Sequence, residues 1–192
     1  MFLTGANAYT GTTTVNGGIL QLNASNVIGD TSDVIISGSG TLQFDWGSLS
    51  ETVGSLSGSG TLSLRGSDFT TSTSDDTTFS GTITDSYGGF HKAGTGDLTL
   101  TGNNSYTGLT YIEGGTLIAA SANALGGATY GNVISDGATL GLQGGFTFSE
   151  SNFSLEGTGD GGVGAINNIS GDNTLTSSLT FTDATTIGST TD

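Results

Sequence analysis

The chain repeats itself at two periods, and this limits its fold more than any other feature. Leu3-Thr4-Gly5 returns as Leu100-Thr101-Gly102, Asn7 as Asn104, Tyr9 as Tyr106 and Gly11 as Gly108. The match continues through Val15 and Ile112, Gly17-Gly18 and Gly114-Gly115, and Leu20 and Leu117. Ser25–Asp30 then lies over Ala122–Gly127, and Ser37–Phe44 over Ser135–Leu142 with one residue inserted. The long period is about 97 residues, so the chain holds nearly two copies, approximately 1–97 and 98–192. Within it runs a shorter unit, Gly-x-Gly-Thr-Leu-x-Leu/Phe, at Gly38–Phe44 and Gly58–Leu64, with Gly94–Leu100 a close variant. Neighbouring units are roughly 20 residues apart, the length of one solenoid coil.

Each unit reads as a turn followed by an alternating strand. Alternation sends Leu98, Leu100 and Leu117 inward and Thr99, Thr101 and Thr116 outward. A narrow core needs few apolar residues per coil. That reconciles a hydrophobic content of 33% with a folded chain, although typical domains hold about 45–50%. Glycine, present 35 times, supplies corners that need positive φ. Proline, which would remove a ladder hydrogen bond, does not occur. Helix signals are nearly lacking; Ala120–Ala128 offers at most one turn. The expected fold is all-β, a single right-handed parallel β-helix over residues 1–192 with about eight or nine coils. The hand follows from the general handedness of parallel crossovers. At about 4.8 Å per coil the rod is near 40 Å long.

Seventeen acidic residues face two basic ones, for a net charge of −15. Such a chain repels nucleic acid and anionic membrane surfaces. It has no cysteine, which excludes a disulfide scaffold. No apolar run reaches the roughly 20 residues of a membrane span, so no membrane insertion by this segment is expected. Met1 is followed at once by the repeat, with no basic region or apolar stretch of a signal peptide. An export signal would therefore lie outside this chain.

Candidate chemistry is sparse. Gly157–Gly162 spells Gly-x-Gly-x-x-Gly, but a dinucleotide site needs a following helix and an acid about 20 residues on. Val163–Gly171 does not read as a helix, so a corner or loop is expected. A lyase-type base would come from Arg65, His91 or Lys92, and the stretch holding His91 and Lys92 reads as a surface turn. Asp75-Asp76, the adjacent acidic pair, sits in a polar loop; a hydrolase would need a second carboxylate from another coil. For calcium, Asp30, Asp33, Asp75 and Asp76 are the places to look, against the plainer reading of a solvated acidic surface. Tyr9 and Tyr106 suit packing over a corner better than a ligand platform. Trp46, with no counterpart in the second copy, is expected to cap a local cluster. No catalytic residue, cofactor or metal is assigned.

Lys92–Leu117 resembles the passenger-associated strand repeat of bacterial autotransporters. The family pattern is met by Gly94, Gly96, Leu98, Leu100, Gly102, Asn104, Tyr106, Gly108, Thr110, Ile112, Gly115 and Leu117. Leu3–Leu20 carries its second half, and Phe79–Asp85 and Gly162–Ser189 also resemble passenger text. The resemblance implies a non-catalytic, secreted or surface-exposed β-helix, a stalk or adhesin segment at the bacterial outer membrane exterior. The barrel that ends a complete autotransporter is not in this sequence, so a passenger segment is expected. Its partners would be further β-helix coils and a host-surface or glycan ligand. Two alternatives stand beside this reading. One is a filament subunit that self-associates end to end, since both ends would be open sheet edges. The other is a carbohydrate-active enzyme.

Overall fold

The computed structural model describes residues 1–127, 129–149 and 152–190. Its strands pair in parallel throughout, each with the strand about one coil later. Each coil visits three faces in turn. Among the described residues, one face is a nine-stranded sheet running from Thr13–Val15 to Ile187–Ser189, one strand per coil. A second is a seven-stranded sheet from Ser50–Val53 to Ser178–Thr185. The third is a five-stranded sheet from Phe2–Leu3 to Thr82–Thr84. The fold is the all-β parallel solenoid of about nine turns that the repeats predict.

The register shows why the repeat works. Leu98 lies beside Leu117, Leu117 beside Leu140, and Leu140 beside Ile166. Identical inward positions thus stack along the axis, and Leu98, Leu100, Leu117 and Leu140 are all buried. Phenylalanines form a second inner row. Phe44 meets Phe69 edge-on at 6.4 Å, Phe69 stacks on Phe90 at 6.3 Å, and Phe90 meets Tyr106 at 6.2 Å. Such pairs contribute beyond area burial.

Corners are tight because coils lie one strand spacing apart. At Gly102 a Cβ would run into the Gly81 carbonyl of the coil before. At Gly94, φ is 74° and a Cβ would strike Thr73 backbone. Both positions accept only glycine.

After Thr82–Thr84 the third face changes character. Asn104 takes the place of a strand: its Oδ1 accepts from Ile83 N at 2.8 Å and its Nδ2 donates to Ala124 O at 2.6 Å. One amide side chain thereby joins three coils. Asn7 repeats half of this, donating to Val27 O at 2.6 Å. Ser121–Gly127, inside the predicted helical turn, is a run of turns closed by Ala124 N to Ser121 O and Gly126 N to Asn123 O; Ala128 lies outside the described residues. A two-stranded pair, Thr147–Phe148 with Thr174–Leu175, follows on this side.

Thr99 and Thr101 lie toward solvent as expected, but Thr116 is buried. Ile118 and Ile169 close round Gly141 together with the Thr116 methyl, forming an apolar cluster on the outer face. Alternation predicted the direction of Thr116 but not its cover.

Candidate functional site

Two ionisable groups are drawn inside, and neither position is a surface turn. Phe90–Ala93 is a central strand of the seven-stranded sheet, paired on both sides. The expected turn at His91-Lys92 is therefore corrected. The stretch alternates: His91 faces out and Lys92 faces in, beside Thr71 and Ile112. Lys92 is 1% exposed. Its ammonium donates to Ala93 O at 2.9 Å, Gly94 O at 3.1 Å and Gly114 O at 2.9 Å. Burial pulls its pKa down, opposed by the more distant charges of Asp97, Asp160 and Asp76. With three donors committed to three carbonyls, Lys92 pins a corner across two coils and has no hydrogen left to aim at a substrate.

Glu51, which the sequence reading did not single out, is the acidic counterpart. It is fully buried. Its carboxylate accepts from Val27 N at 2.9 Å and Ile28 N at 2.8 Å, tying one coil to the next. Burial raises its pKa, the two amides work against that, and the neighbouring charge of Asp30 adds to it. The available signal was the recurrence of Ser-Glu in Leu49-Ser50-Glu51 and Phe148-Ser149-Glu150. Glu150 lies outside the described residues.

The remaining candidates do not converge. His91 stacks on Tyr111 at 4.4 Å, and its Nδ1 lies 3.0 Å from Glu113 Oε1. Asp75 and Asp76 are exposed, and Asp76 Oδ1 accepts from Asp97 N at 2.8 Å. Asp33 Oδ1 accepts from Ser55 Oγ at 2.6 Å. Among the described residues, no three His, Cys, Asp or Glu side chains gather as a metal site would require. Gly157–Gly162 ends a strand and enters a loop holding a short 3-10 turn, Asp160–Gly162, before the strand Ile166–Ser170. Thr139 secures this loop, donating to Gly164 O and accepting from Asp160 N, each at 2.8 Å. There is no α-helix N-terminus here for phosphate.

Tyr9 and Tyr106 share one local bond, hydroxyl to Thr13 at 2.6 Å and to Thr110 at 2.7 Å. Tyr106 is fully buried between coils, as a packing residue should be; Tyr9 is 39% exposed. Trp46 corrects its expectation. It caps no cluster, standing 71% exposed with the Arg65 guanidinium 5.3 Å from its ring centroid.

Stacked parallel coils define a repeat protein of the β-solenoid class. The passenger-associated transport repeat family matches residues 1–22 and 90–119, the two stretches that supply the Asn-Tyr-Gly corners. The chain is also 37% identical over 188 residues to the adhesin BmaC autotransporter of Brucella suis biovar 1 (strain 1330), covering 86% of this chain. It spans 5% of that relative's length. No solved structure matches it. Both matches support an autotransporter passenger domain.

Proposed function

We propose that the chain is a non-catalytic passenger segment displayed outside a bacterial cell, where it acts in adhesion. The reading rests on its 37% identity, across 86% of its length, to a protein named an adhesin autotransporter. The architecture suits the role. A solenoid holds its shape through neighbour-to-neighbour contacts and exposes long, regular side surfaces. No helix among the described residues is long and apolar enough to cross a membrane.

Display of residues 1–192 on a heterologous outer-membrane anchor tests the proposal. Attachment of such cells to mammalian monolayers should exceed that of cells bearing the anchor alone. Equal attachment would leave the segment a spacer rather than an adhesive element.

A further inference from the structure

One corner of the solenoid gathers aromatic side chains that the packing does not use. It leads into the seven-stranded sheet, from the five-stranded sheet at Trp46 and Tyr87 and from the turns that replace that sheet at Tyr130. Trp46 stands there at 71% exposure, Tyr87 at 73% and Tyr130 at 49%. Away from the two end coils, Val163 is the other large apolar residue so exposed among the described residues. The rings form neighbouring groups. Arg65 covers Trp46, and Tyr87 and Tyr130 lie 6.1 Å apart, tilted by 54°.

The backbone presents these side chains at a cost. Arg65 has φ 48°, Asp85 83° and Tyr87 69°. Bulky residues avoid that region, and such strain concentrates at functional positions. A glycine would relax each turn, but the corner keeps side chains there instead.

Charge selects the partner. Asp45 and Asp85 lie next to Trp46 and near Tyr87 in the chain; Asp45 accepts from the Trp46 amide and Asp85 from the Ser63 and Thr84 hydroxyls, and neither forms an ion pair, the one found among the described residues joining His91 and Glu113. Lys92 is buried and Arg65, the other basic side chain, is half-buried, on a chain of net charge −15. A guanidinium already rests on Trp46, so the corner accepts that chemistry. We infer that this corner binds an extended, arginine-rich segment of a partner protein, its cations stacking on Tyr87 and Tyr130 and pairing with the flanking aspartates. The inference rests on the adhesive reading above. Trp46 and Tyr130 are about four coils apart, or roughly 19 Å. An extended peptide covers that with about six residues, so basic residues near every third position would set one cation at the Trp46 end and the next at the Tyr87–Tyr130 pair, whose rings lie 6.1 Å apart.

A fluorescent (Arg-Gly-Gly)3 peptide, titrated into the full chain by anisotropy, tests this. Binding should weaken at least tenfold in the triple variant W46A/Y87A/Y130A and persist in W46F/Y87F/Y130F. It should change less than twofold in E156Q/D172N, which removes acidic charge elsewhere. It should also fall steeply as salt rises. Circular dichroism melting shows that the variants fold. Equal binding by the triple alanine variant would overturn the proposal, reducing the attraction to general charge. So would salt-independent binding of a neutral glycan array at this corner with none of the peptide. If displayed W46A/Y87A/Y130A cells still attach to monolayers, this corner fails while the adhesive reading stands. If wild-type cells do not attach, that reading fails.

Discussion

Buried polar side chains act here as pins between coils, and each can be tested singly. Lys92→Met keeps the aliphatic stem but leaves the carbonyls of Ala93, Gly94 and Gly114 without their donor. The expected loss is about 2–4 kcal/mol, read by urea unfolding. Glu51→Gln offers one oxygen where two backbone amides need an acceptor, so it should cost about 1–3 kcal/mol. The acid also gives a sign. Its pKa is raised in the folded chain, so the fold binds that proton more tightly than the unfolded state. Its contribution is complete below the ordinary glutamate pKa and declines as pH rises through the folded value. The gap between wild type and Glu51→Gln should therefore be wider near about pH 5 than near about pH 8. A gap that widens toward alkaline pH would contradict the burial account. Asn132 is the opposite case. Both its amide atoms are buried without a hydrogen-bond partner among the described residues, between Thr110 and Phe153 in register. Asn132→Leu should raise stability by about 1 kcal/mol.

Strands and corners show how one text acquires two meanings. Gly5 and Gly102 hold equivalent positions in the two copies. A Cβ at Gly5 meets nothing within 4 Å, whereas at Gly102 it enters the Gly81 carbonyl. Gly5→Ala should be nearly silent in the 192-residue chain, and Gly102→Ala should cost about 3 kcal/mol. Thermal unfolding of the two variants side by side checks this. Equal effects would mean that the glycines serve local turn geometry rather than coil spacing. Tyr9 and Tyr106 differ for the same reason: their hydroxyl bonds match, but only Tyr106 has Phe90 of an earlier coil beneath it.

Over the full length, each coil touches mainly its neighbours, so protection should vary along the axis. In hydrogen exchange, amides of Leu98–Leu100 and Thr110–Ile112, flanked by strands on both sides, should exchange slowest. Those of Ile187–Ser189, at the edge of the nine-stranded sheet, should exchange fastest. Uniform protection would mean that the coils unfold as one block.

The coil length, the alternation of Leu98, Thr99 and Leu100, and the Asn-Tyr-Gly corners were legible in the amino-acid order because they are local and recur. A period of two selects a strand face, and a period near 20 selects stacking. The inward turn of Lys92, the burial of Glu51 and the cover over Thr116 were not legible. Each depends on atoms one or more coils away: the Gly114 carbonyl for Lys92, the Val27 and Ile28 amides for Glu51, and Ile169 beside Gly141 for Thr116. The aromatic corner was hidden for the same reason. Trp46, Arg65, Tyr87 and Tyr130 share no sequence pattern and become neighbours only when parallel coils stack at one strand spacing.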